Sequence, residues 1–354
     1  MLQKLIFNLI FIPLSTWAFS VEAENVYRPA LLLKKVAPVY PSSQYRNAGG
    51  TRMDVGLVDV IFMVGKNGKP YEVSVRRSSS PIFEEEAVRA ILQYEYKPAI
   101  FGNSVANSMR SAIVTSEFWY GNSTGFQGTM GAPEGFHSFY NRFAKELQKV
   151  EPDEYKARRN IEKMTGLRDQ TYVTLSHTEL ARYRYAGKFS TPSKAIDALY
   201  ALLQFEGIVR HKRTVLEEDI ETMVVINLLR LLLENGRSAE VLELYARYHQ
   251  RISDLPELYS EAIEKTTHLQ KSDVLIERKL ELTKRGDAHL PMFKRVFTID
   301  QVVGSLSSLK LRCDTKFLKL EFKPDAQYAL PEAWGKCDLQ LIGEPGTTAS
   351  VLQQ

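Results

Sequence analysis

The segment from Gly56 to Arg76 constrains the fold more than any other part of the chain. Gly56–Val64 places an apolar side chain at every second position, which is the period of a strand with one buried face. The run Gly65-Lys66-Asn67-Gly68-Lys69 then predicts a hairpin turn, because glycine and asparagine tolerate positive φ. Tyr71–Arg76 follows as the return strand. The segment therefore predicts an antiparallel β-hairpin.

A helix pattern follows the hairpin. Ser80 and Pro81 suit the N-cap and the first helical position. Three glutamates, residues 84–86, lie in or near the first turn, where the helix dipole favours negative charge. A single apolar stripe runs along the predicted helix: Phe83, Ala87, Ile91 and Tyr94. A third strand is predicted over Met109–Trp119, with Ala112, Val114 and Phe118 on one side. Residues 36–120 thus predict a small antiparallel sheet with one helix packed on it.

Four motifs in this segment keep a regular order: Pro38-Val39-Tyr40-Pro41, Gly56-x-Val58-x-Val60-x-Phe62, the helix positions Phe83, Ala87 and Ala90, and Tyr94-Glu95-Tyr96-Lys97-Pro98. Together they resemble the C-terminal domain of TonB, the periplasmic end of an energy transducer for outer-membrane receptors. The sequence departs from that family at Tyr94 and Glu95, where the family has tryptophan and arginine, and in extra residues around Thr51–Asp54. The resemblance covers about a quarter of the chain.

The resemblance implies a binding strand. In the family, the last strand of the domain takes an extended peptide by strand addition, in which main-chain hydrogen bonds provide the affinity. Carried onto this sequence, the partner-binding strand is Met109–Trp119, with these residues at alternate positions: Met109, Ser111, Ile113, Thr115 and Glu117. The implied partner is an extended peptide or protein, outer-membrane receptors among them. A second copy of the chain could pair with the same strand edge and form a homodimer.

The first 23 residues predict a secretory signal. Lys4 precedes the apolar run Leu5–Leu14, and Val21-Glu22-Ala23 offers small residues before a cleavage site, with a second possible site after Ser20. The apolar stretch is shorter than the roughly 20 residues that a spanning helix needs. We therefore expect cleavage near Ala23, no stable membrane span afterwards, and a periplasmic protein. The alternative is an uncleaved anchor in the inner membrane, with the chain facing the periplasm.

Three further regions follow residue 120. Residues 121–135 are rich in glycine and predict a flexible linker. Residues 136–286 carry helical patterns, and two stretches resemble, in a degenerate form, the helical hairpins of tetratricopeptide repeats; the alternative is an unrelated helical bundle. Residues 287–354 return to strand patterns. The predicted fold class is multi-domain: an α+β TonB C-terminal-like domain, an all-α helical-hairpin region, and a small β domain stapled by a disulfide.

The disulfide prediction rests on Cys313 and Cys337, the two cysteines of the chain. Export to an oxidising compartment favours a bond between them, although two buried free thiols remain an alternative. Two cysteines are too few for a cysteine-based zinc site.

The remaining patterns predict no chemistry. A formal net charge of +4 over 354 residues gives no case for nucleic acid. The sequence contains no His-Glu-x-x-His motif, and we predict no catalytic residues, no cofactor and no metal site. The sequence thus favours a non-enzymatic periplasmic interaction module associated with the cell envelope or TonB-dependent transport.

Two alternatives remain. One is a TonB-type energy transducer that keeps an N-terminal anchor. The sequence lacks a histidine before His137, which argues against it because the resemblance implies an anchor histidine that couples to the inner-membrane motor. The other alternative is an envelope enzyme, which no constellation of residues supports.

Overall fold

A computed structural model describes residues 27–39, 52–120, 132, 135–167, 170–210 and 213–354. For residues 52–54, 117–120, 209, 210 and 213 it describes the backbone only. The predicted signal segment and nearly all of the predicted glycine-rich linker lie outside these residues. The described chain contains three successive units: an N-terminal α+β unit, a helical unit and a C-terminal β unit.

The N-terminal unit combines helix α1 with several strands. Its elements are β1 (Tyr27–Arg28), β2 (Leu31–Lys34), β3 (Arg52–Val64), β4 (Pro70–Ser78), α1 (Glu84–Ile91), β5 (Glu95–Lys97), β6 (Ala99–Phe101), β7 (Ser104–Ala106) and β8 (Ser108–Tyr120). The main sheet is antiparallel with the order β4-β3-β8, β2 pairs with β5, and β1, β6 and β7 form a third small sheet. This architecture agrees with the predicted α+β domain.

Helix α1 covers one face of the main sheet. The predicted strand face Val58, Val60, Phe62 and Val64 packs with the predicted helix stripe Phe83, Ala87, Ile91 and Tyr94 in one buried core. The start of the helix differs from the prediction, because Ser80 makes no side-chain cap bond and a single 3-10 turn, Pro81–Phe83, comes first. That turn places the Phe83 ring against Gly56, where any Cβ would collide with it.

The opposite face of the sheet is partly covered by the helical unit. Val55 and Leu57 join the apolar core of the helical unit, and Ile113 packs against it. The helical unit consists of α2 (Phe136–Leu147), α3 (Glu154–Thr165), α4 (Tyr172–Phe189), α5 (Pro192–Leu203), α6 (Glu218–Glu234), α7 (Ser238–Tyr248) and α8 (Asp254–Lys271), with a short hairpin of β9 (Val209–Arg210) and β10 (Arg213–Thr214). Each helix packs on the next one in sequence. No helix among the described residues is long and apolar enough to cross a membrane.

The C-terminal unit is a pair of four-stranded antiparallel sheets that share one apolar core. Its strands are β11 (Ile276–Glu281), β12 (Asp287–Pro291), β13 (Val296–Val303), β14 (Leu306–Cys313), β15 (Phe317–Glu321), β16 (Tyr328–Ala329), β17 (Cys337–Gly343) and β18 (Thr348–Gln353). The orders are β11-β18-β13-β16 and β12-β17-β14-β15. The predicted disulfide is confirmed, since Cys313 and Cys337 face each other across β14 and β17 and are bonded.

Candidate peptide-binding edge

Strand β8 forms one edge of the main sheet. Within the described residues β3 is the strand that pairs with it. The register runs without a bulge from Arg52 opposite Tyr120 to Val64 opposite Ser108. An edge strand of this length leaves a row of backbone donors and acceptors on its outer side.

Two hydrogen bonds determine which residues of β8 turn their backbone N–H and C=O groups away from β3. The Met109 N–H donates to the carbonyl oxygen of Asp314, in the C-terminal unit, at 3.3 Å. On the neighbouring strand, the Leu57 carbonyl oxygen accepts from the Ser79 N–H at 2.9 Å, on the β4 side. In an antiparallel strand the N–H and C=O of one residue point to the same side, and this side alternates from residue to residue. The backbone groups of Met109 and of every second residue after it therefore point away from β3.

The outward-pointing positions are the five residues that the resemblance implies: Met109, Ser111, Ile113, Thr115 and Glu117. Met109 has already used its N–H on Asp314. Ser111 is exposed, and Met109, Ile113 and Thr115 are partly buried. The side chain of Glu117 lies outside the described residues. The first backbone N–H available to an added strand is therefore that of Ser111.

The side chains of Met109, Ser111, Ile113 and Thr115 lie on the sheet face that looks toward the helical unit. Each stands opposite an odd-numbered residue of β3, such as Leu57 or Asp59, on the side away from α1. Sequence reasoning missed this second covered face. The signal was available, because apolar residues also occupy Leu57, Ile61 and Met63, as in strands buried on both faces.

A cleft of about 1740 Å³ runs along this face, between the three units, and reaches β8 at Ser111–Ile113. Its wall on the β4 side carries an ion pair between Arg76 and Asp59, with N···O 2.9 Å. The neighbouring Arg77 guanidinium lies 4.1 Å from the centre of the Tyr200 ring of α5. Burial lowers the pKa of Arg77 and raises that of Tyr200. This cation–π contact joins the N-terminal unit to the helical unit, and no pattern in the sequence indicated it.

The other edge strand of the sheet, β4, is bound to the C-terminal unit. The fully buried guanidinium of Arg312 donates to the Ser74 hydroxyl at 2.7 Å and to the Glu72 carbonyl oxygen at 3.1 Å. Lys310 adds an ion pair of 2.7 Å with the Glu72 carboxylate. These contacts tie up side chains and backbone of β4, so β8 is the edge with room for another strand.

A titratable cluster lies in the C-terminal unit beside the cleft. His289 Nδ1 lies 2.9 Å from Asp338 Oδ1, while the buried His289 Nε2 has no hydrogen-bond partner. Burial by itself would raise the pKa of Asp338, but the hydrogen bond and charge of His289, with the charges of Arg76 and Arg312, lower it below its ordinary value. Among the described residues, no three His, Cys, Asp or Glu side chains are arranged to hold a metal ion.

Comparison with known proteins gives a family match for this part of the chain. The sequence profile of the family described as Gram-negative bacterial TonB protein C-terminal matches residues 37–115. Those residues form a TonB C-terminal domain. The match includes β3, β4, α1 and most of β8, whereas the helical and C-terminal β units lie beyond it. The family is non-enzymatic.

One solved structure is similar to part of this chain. It is the solution NMR structure of the TonB C-terminal domain from Pseudomonas aeruginosa, with 21% sequence identity and a TM-score of 0.18. The match covers 27% of this chain and 90% of that one. No curated protein matches the chain.

Proposed function

We propose that this chain is a non-enzymatic interaction module of the cell envelope, and that its TonB C-terminal domain binds an extended peptide of a partner protein on β8. The family match supports a role in protein interaction. The proposed contacts are the outward backbone groups of Ser111, Ile113, Thr115 and Glu117, with Met109 at the start of the strand. The proposed partner class is outer-membrane receptors of TonB-dependent transport.

The observation that carries the proposal is the direction of the Met109 N–H. Because it donates to Asp314 rather than to β3, the outward positions of β8 are fixed. An added strand would hydrogen-bond to the backbone at these positions, and its alternate side chains would enter the cleft that reaches Ser111. The proposed location is the periplasm, with the signal removed near Ala23.

A proline substitution tests the backbone contact. Proline is tolerated in an edge strand where its nitrogen faces outward, so Ser111→Pro removes a donor from the outer side and leaves the β3 pairing in place. Ser111→Val keeps that donor and is the matched control. Both tagged variants and the wild type would be crosslinked in cells, and the captured proteins identified by mass spectrometry.

We expect the wild type and Ser111→Val to capture outer-membrane receptors, and Ser111→Pro to lose them while its thermal midpoint stays close to that of Ser111→Val. A version without residues 36–120 should also lose them. Capture of the same partners by all four proteins would overturn the proposal. Capture of a second copy alone would make the edge a dimer contact. Recovery of the chain with an intact N-terminus in the inner-membrane fraction would favour the anchored transducer.

A further inference from the structure

Strand β2 exposes three consecutive leucines. Leu31, Leu32 and Leu33 are 63%, 40% and 65% exposed. Leu31 and Leu32 are successive paired residues and point to opposite faces of β2, and Leu33 lies in an irregularity of the pairing between Leu32 and Lys34, so exposed leucines occur on both faces. Within the described residues β2 pairs with β5, through Leu31 opposite Lys97 and Leu32 opposite Tyr96, and its other edge has no partner strand. A contact with another protein would bury one face of such a strand and leave the leucines of the other face exposed.

Basic side chains surround the leucines. Lys34 and Lys35 follow them directly and are exposed, and Lys97 is exposed opposite Leu31. Lys34 and Lys69 share a single carboxylate, that of Glu95, at 3.8 and 3.1 Å. Cations therefore outnumber the carboxylate that pairs with them, and the surface around the leucines is positively charged.

We propose that Leu31–Lys35, together with Lys69 and Lys97, is a membrane-contact surface that inserts its leucines into the interface of a bilayer containing anionic phospholipids. The bilayer interface would surround the inserted strand, so apolar side chains on both of its faces could be buried there. Lysines next to them suit the phosphates of lipid headgroups, each adding affinity for a negatively charged surface. The unpaired edge of β2 keeps its backbone groups hydrated at headgroup depth, since such groups are costly in the hydrocarbon core.

Vesicle flotation tests this surface on the chain from residue 24 onward. The probes are vesicles of phosphatidylcholine with phosphatidylglycerol, and vesicles of phosphatidylcholine alone. The test variant is Leu31→Ser combined with Leu33→Ser. The matched control is Leu258→Ser, because Leu258 of α8 is exposed to a similar extent, 57%. Both leucines of the test variant are already exposed, so the fold should be unchanged.

We expect binding to the anionic vesicles, a loss of about tenfold or more in the double variant, and no change in the control. Lys34→Gln with Lys35→Gln should weaken binding in the same direction, and added salt should do so too. Failure of the wild type to float with anionic vesicles would overturn the proposal, as would equal binding by the double variant. If light scattering shows a wild-type dimer that the double variant turns into a monomer, the occupant is a second copy.

Discussion

Arg312 of strand β14 donates a hydrogen bond of 2.7 Å to the hydroxyl of Ser74 on strand β4. The same guanidinium donates to the Glu72 carbonyl oxygen and, at 2.8 Å, to the Gln340 side chain. Burial lowers the pKa of Arg312, yet a guanidinium remains charged at any physiological pH. A charged, solvent-excluded side chain thus joins the C-terminal β unit to the TonB C-terminal domain.

Replacing this arginine should weaken the junction. Arg312→Met leaves buried oxygen acceptors without donors, and we expect the free energy of unfolding to fall by about 1–3 kcal/mol. Lys310→Met is the control, because Lys310 ion-pairs with Glu72 at a more exposed position, and a cost of about 0–1 kcal/mol is expected. Urea titration of both variants measures the difference. Equal losses in the free energy of unfolding would contradict a larger contribution from the buried hydrogen bonds of Arg312.

The hairpin turn between β3 and β4 requires glycine at residue 68. Gly68 has φ +75°, and a Cβ there would collide with the Tyr96 carbonyl oxygen. Gly236 has φ +61° with no heavy atom within 4 Å of its would-be Cβ. Gly236→Ala should cost about 1–2 kcal/mol from backbone strain alone, and Gly68→Ala should cost more. Thermal unfolding of the two variants separates strain from collision, and similar midpoint shifts would contradict the collision.

The disulfide should stabilise the chain by restricting its unfolded state. Its cysteines are 24 residues apart, and the chain-entropy argument gives about 3 kcal/mol for a loop of that size. Cys313→Ala with Cys337→Ala should therefore lower the urea midpoint, and a reductant should lower it for the wild type but not for the variant. A reductant that also lowers the urea midpoint of the variant would contradict this role of the disulfide.

Asp338 should make stability depend on acid pH. Its pKa in the folded chain lies below the ordinary aspartate value of about 3.9. The folded state therefore binds that proton more weakly than the unfolded state, and the stabilisation is present above about pH 4 and lost as the pH falls through the folded pKa. Asp338→Asn should lower stability at neutral pH and reduce the loss that the wild type shows on acidification below about pH 4. An acid slope that stays the same after Asp338→Asn would contradict this role.

Local patterns in the sequence were sufficient to predict the TonB C-terminal domain. Alternation from Val58 to Val64 and the glycines of the turn act over a few residues, so the strand, the hairpin and the face that meets α1 followed directly. The strand that the resemblance implied for binding is present as β8, one residue longer at each end than predicted.

The contacts between units could not be predicted in this way. Arg312 meets Ser74 across a sequence separation of 238, and nothing near either residue indicates the other. The stacking of Arg77 on Tyr200 and the bond from Met109 to Asp314 are equally remote in sequence. Residues 287–354 were predicted to be strand-like as a whole, but β12, β13 and β18 were not predicted individually, and β11 lies in the segment that was predicted to be helical.

The hydrogen bond from Met109 to Asp314 also limits where an added strand can begin along β8. A strand lying on the outer side cannot begin before Ser111, because the preceding position is filled by a carbonyl of the same molecule. From Ser111 to Tyr120 the edge extends for about 30 Å at strand spacing. A contact within the same molecule therefore sets the starting register of a strand that pairs with β8.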